Sequence, residues 1–204
     1  MATPVTPQTL TIVEDGDLTI RLFKAPKRIP NFTMTARGRG SFLASFKVSR
    51  DVLAKESAVF KAELRGFFAE AKSSVVDVEE GTVKSLELWF RIIHNAMTEA
   101  MYEIPIVEIW EALAVADFRD FPETMLNGWF AKWLTQMDYQ TIDLFEMRQL
   151  LYPCRLIDYE CGSSVLPEAF AYMTRMLAYK STKHITEFNP TSHYHLHLLG
   201  NEVR

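Results

Sequence analysis

The chain has 204 residues, of which 48% are hydrophobic and 24% charged, and its formal net charge is −4 at pH 7. These values are ordinary for a globular protein and exclude a wholly disordered chain. No stretch reaches the ~18 apolar residues of a membrane-spanning helix, and the N-terminus lacks the basic segment and apolar run of a secretory signal. We therefore expect a cytoplasmic or nuclear protein with one domain and an extension, in which Cys154 and Cys161 are reduced thiols.

Two strand-like segments come first in the chain. Apolar side chains alternate between two faces in "DLTIRLF" and again in "SFLASFKV", which is the two-residue period of a β-strand. The prolines and glycines between the two segments favour a loop over a paired strand. We predict a β-hairpin whose long connecting loop spans 24–41.

This loop lies in a strongly basic part of the sequence. Between Asp17 and Asp51 there are eight basic residues and no acidic one, so the rest of the chain carries −12, since +8 and −12 give the net −4. Contact with an acidic protein surface is one interpretation. Nucleic-acid binding is the other, although the acidic remainder of the chain would repel a polyanion. The residues expected to make partner contacts through the loop are Lys24, Lys27, Arg28, Phe32, Arg37 and Arg39.

After Ser49 the apolar period changes to that of an α-helix. Ser49 and Ser57 are placed to cap two short helices, "RDVLAKE" and "AVFKAELRGFF". A short strand is predicted in "SSVVDVEE", with Glu79 and Glu80 solvated in a turn after it. Further helices are predicted in "GTVKSLELWFRIIHNAM", from Pro105, from Pro122, and over 142–151 and 167–179. Strands followed by helices indicate an α+β fold.

Four segments, in this order, resemble the BTB/POZ domain and are most similar to its fungal-type members. "DLTIRL" is similar to the first strand of the family, and "FKVSRDVLAKESAVFKAEL" to its signature segment. "VDVEEGTVKSLELWFRIIH" is similar to the third strand with its following helix, and "IWEALAVADFRDF" to a late helix. The residues that carry the resemblance are Asp17, Phe46, Val48, Leu53, Ala54, Ser57, Phe60, Leu113, Ala116 and Asp117.

The resemblance implies an α+β fold, in which a β-hairpin and a third strand pack against a cluster of helices. It places a BTB/POZ-like domain at 15–138, after a loosely ordered N-terminus at 1–14. A helical extension with a C-terminal tail would follow at 139–204. The sequence departs from the family at "HNAMTEAMYE", where members have a Tyr-Thr-Gly-like turn before a short strand.

In function, the resemblance implies a non-enzymatic module that self-associates and recruits other proteins. Family homodimers use the first helix and a swapped N-terminal strand, for which "TLTIV" is the candidate here. The matching positions are Leu10, Ile12, Ser49, Asp51, Val52 and Lys55. Two alternatives stay open. One is a substrate adaptor of a cullin-type ubiquitin ligase, whose apolar-x-Glu motif is matched by "IWE" at 109–111 and "MYE" at 101–103. The other is nucleic-acid binding through the basic loop.

The sequence contains no catalytic or cofactor-binding signature. There is no P-loop, no Gly-x-Gly-x-x-Gly and no nucleophile motif in a supporting context. "HYHLH" would place His193, His195 and His197 on one face of a strand, a weak metal-binding pattern for which a docked tail strand is the preferred interpretation. Trp129 and Trp133 are expected in the core. We expect no enzyme activity, no cofactor, no small-molecule substrate and no membrane partner.

Overall fold

The computed structural model describes residues 8–24, 40–66, 69–137, 141–158 and 165–181. Within these residues lie four β-strands: β1 (Gln8–Thr11), β2 (Leu18–Phe23), β3 (Phe42–Val48) and β4 (Val75–Val78). The α-helices there are α1 (Arg50–Glu56), α2 (Ala58–Arg65), α3 (Val83–Ile93), α4 (Ile106–Arg119), α5 (Asn127–Met137), α6 (Leu144–Asp158) and α7 (Val165–Ser181). The predicted α+β class is confirmed.

The four strands form one mixed sheet in the order β1–β3–β2–β4. β2 and β3 are antiparallel, with Ile20 opposite Phe46, so the predicted hairpin is confirmed. β4 pairs in parallel with β2, and β1 pairs in parallel with β3. The expectation of loose order over 1–14 therefore needs correction at residues 8–11, because the backbone hydrogen bonds of β1 are made to β3.

One face of the sheet is buried beneath the helices. Leu18, Ile20 and Leu22 are at most 1% exposed, whereas the residues between them are half-exposed, as the strand period predicts. Phe46 of β3 meets Phe90 of α3 edge to face, with ring centroids 5.2 Å apart. Full burial of side chains of this size contributes about 1.5–3 kcal/mol each, so this layer stabilises the first part of the chain.

The two short helices α1 and α2 begin differently. The Ser57 hydroxyl accepts a hydrogen bond from the Phe60 backbone N–H at 3.0 Å, so the predicted cap of α2 is confirmed. The predicted cap of α1 is wrong, because the Ser49 side chain makes no capping bond. Instead, Asp17 Oδ1 accepts from the Arg50 N–H at 2.8 Å. The antiparallel register explains why Asp17 takes the place of Ser49. Leu18 lies opposite Val48, which brings Asp17 beside the start of α1.

The chain divides into two compact units, residues 1–122 and 123–204, hereafter unit 1 and unit 2. Unit 1 ends earlier than the domain boundary expected at 138. The reason is that α5, which the predicted BTB/POZ-like domain includes, packs with α6 and α7. The apolar stripe predicted for α5 is confirmed, with Trp129 and Trp133 buried and the Trp133 ring stacked on Phe130.

Helix α6 is longer than predicted. It continues past residue 151 and through Pro153 to Asp158, although proline removes a backbone donor from the helix. The continuation buries Cys154 and Ile157, and the Asn127 side-chain amide donates to the Ile157 carbonyl at 2.9 Å. These gains offset the lost hydrogen bond. Cys154 is 1% exposed, and Cys161 lies outside the described residues.

Candidate interaction surface

Most of the residues that carry the family resemblance lie in the interior of unit 1 and not on a surface that could contact other molecules. All of them except Asp17 and Asp117 are buried: Phe46, Val48, Leu53, Ala54, Ser57, Phe60, Leu113 and Ala116. The backbone N–H of Arg50 is satisfied by Asp17, and Asp117 is exposed on α4. A surface that contacts other molecules must therefore be built from other side chains.

Helix α1 has one inward and one outward face. Leu53 and Ala54 face the core, whereas Asp51 and Lys55 are exposed and Val52 is half-exposed. We call Asp51, Val52 and Lys55 the α1 outer face. It consists of an apolar side chain between an acid and a base.

The two charged residues of the α1 outer face form ion pairs that are exposed to solvent. Asp51 accepts from Arg65 at 2.9 Å, and the Lys55 ammonium donates to Glu56 at 2.7 Å, which raises the pKa of Lys55. Exposed ion pairs contribute little to stability, so a partner's groups can replace them at small cost.

Strand β1 contributes an edge of the sheet near this face. The Ile12 N–H donates to the Lys47 carbonyl at 3.0 Å, which places the end of β1 next to the end of β3, just before α1. Leu10 is opposite Phe46 and remains half-exposed, whereas Ile12 is 6% exposed and belongs to the core of its own chain. Of the two, only Leu10 keeps accessible surface, and their role in a dimer stays a prediction.

His94 fixes the start of α1 from the other side. The Ser49 N–H donates to His94 Nε2 at 3.0 Å, and His94 Nδ1 lies 2.7 Å from the Phe90 carbonyl, to which it donates. Both contacts together require a neutral ring with its proton on Nδ1. Burial of the ring lowers the pKa of His94. Because Ser49 and His94 are 45 positions apart, no local pattern predicts this link between the end of α3 and the start of α1.

We expect the stability of unit 1 to fall as the pH drops below 6.5, the ordinary pKa of histidine. The lowered pKa means that the unfolded chain takes up the proton more readily, so the His94 contribution is complete above that value and is lost below it. Urea unfolding between about pH 5 and about pH 8 would measure this for the wild type and for His94→Gln. The variant should show the weaker pH dependence; parallel curves would contradict this assignment.

A buried arginine joins three parts of unit 1. The Arg119 side chain is 3% exposed, and its Nη1 donates to both carboxylate oxygens of Glu63 at 3.0 Å, while Nη2 donates to Glu80. Glu80 is therefore not the solvated turn residue that the sequence suggested. The Arg119 carbonyl accepts from the Ser57 hydroxyl, and its guanidinium carbon lies 4.6 Å from the centroid of the Phe60 ring. These contacts link α2, α4 and the turn after β4, which is a structural role.

Both adaptor motifs place their apolar residue in the core. Ile109 of "IWE" is fully buried and Met101 of "MYE" is 1% exposed, so neither side chain is offered to a partner. Glu103 is exposed and Glu111 half-exposed. Burial, with a contribution from nearby Glu108, raises the pKa of Glu111.

Several predicted contact residues lie outside the part of the chain that the structure describes. Lys24 is described and exposed, and its N–H donates to the Ser41 carbonyl at 2.9 Å where the hairpin opens. The residues outside are Lys27, Arg28, Phe32, Arg37, Arg39, His193, His195 and His197. Their roles stay predictions.

The described residues contain neither a candidate membrane-spanning helix nor a candidate metal site. None of the helices there is long and apolar enough to span a bilayer. No three His, Cys, Asp or Glu side chains in those ranges are grouped so that they could hold a metal ion.

Comparison with known proteins gave no family model and no curated protein that matches this chain.

Proposed function

We propose that this chain is a BTB/POZ-type interaction module without enzymatic activity, which forms a homodimer and recruits other proteins. The observation that carries the proposal is the common burial of the signature residues around Ser57, whose hydroxyl both caps α2 and reaches the carbonyl of Arg119. The β2–β3 hairpin, the parallel third strand β4 and the α1–α2 pair are the elements that the resemblance implies, and they support the proposal.

The proposed dimer contact combines the α1 outer face with the β1 edge of the sheet. A seven-residue helix presents too little area by itself, because stable interfaces bury about 800 Å² on each partner. β1 adds a strand edge with Leu10 beside it, and the Ile12–Lys47 hydrogen bond holds that edge close to the start of α1. Val52 is then the apolar centre of the contact.

Substitution of Val52 by Glu tests this contact. The variant should be monomeric under conditions where the wild type dimerises, because a buried, unpaired carboxylate opposes association. Val83→Glu is the matched control, since Val83 is also half-exposed in the first turn of a helix but lies on α3. Light scattering after size exclusion would give both masses. A dimer that survives Val52→Glu, or one lost equally in Val83→Glu, would contradict the proposed contact.

The two alternatives have less support. A cullin adaptor would need an exposed apolar-x-Glu motif, and the apolar residue of both candidates is buried. Nucleic-acid binding through the basic loop is opposed by the net charge of −12 on the chain outside residues 18–50 (−4 minus +8), which would repel a polyanion. A filter-binding titration at low and at moderate salt measures that alternative directly, since binding through phosphate contacts weakens steeply with salt.

A further inference from the structure

Helix α4 has an apolar stripe on its outer side that the core of the protein does not use. Val107 and Phe118 are 56% and 55% exposed, and they are the large apolar side chains most open to solvent in the described part of unit 1. Glu111 and Ala114 lie between them at a spacing of four, three and four residues, which places all four on one line along the helix. The line is about 16 Å long.

The inner face of the same helix already explains why α4 folds where it does. Ile109, Ala112 and Ala116 are fully buried, and the Ala112 carbonyl accepts from the indole N–H of Trp89 at 2.7 Å. Removal of Val107 and Phe118 would therefore leave these contacts in place, although the Phe118 ring would no longer contact the Arg119 guanidinium carbon, which lies 5.4 Å from the ring centroid. Exposed large apolar side chains aligned on a helix are a feature of binding surfaces.

The charged side chains that α4 exposes along this stripe have one sign. Glu111 lies within the stripe, where partial burial raises its pKa, and Asp117 is exposed beside Phe118. The one basic residue of α4, Arg119, is turned inward and paired with Glu63 and Glu80. The charged groups that α4 shows to solvent are thus acidic, so a complementary partner must bring a cation.

We propose that the α4 stripe, formed by Val107, Glu111, Ala114 and Phe118, binds an amphipathic helix of another protein that carries a Lys or Arg between two large apolar side chains. The 4–3–4 spacing is that of a helix–helix seam, and the small Ala114 allows close approach. The inference deepens the proposed function, since it names a class of partner to be recruited, but it uses a surface separate from the α1 outer face.

A second copy of this chain is a poor occupant of the stripe. Two α4 helices packed on each other would bring Glu111 and Asp117 of both copies to one interface with no exposed base from α4. Like charges at an interface oppose association, and two-fold symmetry would repeat the conflict. A basic partner helix instead places its cation opposite Glu111.

A designed peptide tests the proposal on the full chain. The probe is a fluorescein-labelled amphipathic helix of about 18 residues, with a leucine stripe interrupted at its centre by one lysine; the control peptide has glutamate at that position. Fluorescence anisotropy should show the lysine peptide binding at least about tenfold more tightly than the glutamate peptide. No measurable binding of the lysine peptide, or equal binding of the two, would overturn the proposal.

Variants of the stripe separate its apolar and charged parts. The double variant Val107→Ala, Phe118→Ala should bind the lysine peptide about tenfold or more weakly than the wild type does. The variant Glu111→Gln should bind the lysine and glutamate peptides equally well. Phe145→Ala is the matched control, because Phe145 is 48% exposed in unit 2, and it should leave binding unchanged. Circular dichroism would verify the fold of each variant. Full binding by the double variant would overturn the proposal.

The design distinguishes this proposal from the homodimer. Val52→Glu should bind the lysine peptide as the wild type does, whether or not the wild type is a dimer. Loss of a wild-type dimer in the Val107→Ala, Phe118→Ala variant would instead assign the stripe to a second copy and overturn the inference.

Discussion

Replacement of Arg119 by Met should lower the free energy of unfolding of unit 1 by about 3 kcal/mol, the lower end of the range for breaking a buried ion pair. The guanidinium is 3% exposed, whereas Glu63 and Glu80 keep 32% and 25% of their side-chain surface. The two carboxylates can therefore regain part of their hydration when the arginine is removed, which limits the loss. The variant also forfeits the contact with the Phe60 ring.

The triple variant Arg119→Met, Glu63→Gln, Glu80→Gln separates two contributions to this loss of stability. One is the lost attraction between the guanidinium and the carboxylates, and the other is the cost of leaving Glu63 and Glu80 charged and unpaired. The triple variant should recover a substantial part of the stability, because no unpaired charge is left. Equilibrium urea unfolding, followed by circular dichroism and tryptophan fluorescence, would measure both variants. If Arg119→Met lowered the free energy of unfolding by less than about 1 kcal/mol, the contacts of Arg119 with Glu63 and Glu80 would be no stronger than an ordinary surface ion pair, which would contradict this prediction.

Replacement of Gly81 by Ala is expected to cost about 2–5 kcal/mol, the sum of an unfavourable backbone conformation and overpacking. Gly81 has φ +80°, in the region that side chains disfavour. A Cβ added there would lie 2.5 Å from Val115 Cγ2 and 2.9 Å from Ser85 Oγ. Ser85 is fixed in turn by the capping box that it forms with Thr82 at the start of α3, so it cannot move away freely.

Gly128→Ala is the matched control for Gly81→Ala. Gly128 is exposed in α5, and an added Cβ there would meet nothing within 4 Å. The change should raise stability by about 0.5–1 kcal/mol, because alanine loses less conformational entropy than glycine in a helix. Thermal unfolding of the two variants should therefore shift in opposite directions. Destabilisation of similar size in both would mean that neither φ nor the contact with Val115 matters.

The elements of this fold that depend on local pattern could be predicted from the sequence. The alternation in β2 and the capping residue Ser57 each report a relationship within a few residues, and both occur in the structure. The misassigned features depend on distant pairs. Asp17 replaces Ser49 as the capping group because of the register between β2 and β3. The pairing of Glu80 could not be predicted because its partner, Arg119, is 39 positions away in the sequence.

The same distinction applies to the candidate surfaces. The outward position of Val52 follows from helical spacing around Leu53, and the structure leaves it half-exposed. The α4 stripe could not be separated from the core by periodicity, because apolar residues lie on both sides of that helix and only the packing shows which side is covered. The contact between Ser49 and His94 joins residues 45 positions apart, which no spacing rule relates.

The proposed homodimer is tested most directly by the mass of the full wild-type chain in solution. Sedimentation equilibrium should be measured over a concentration range from about 1 to about 100 μM, because the population of a dimer depends on protomer concentration. We expect a species of twice the single-chain mass of 23.5 kDa, which dissociates on dilution. A single species of 23.5 kDa at every concentration would contradict the homodimer and the role assigned to the α1 outer face.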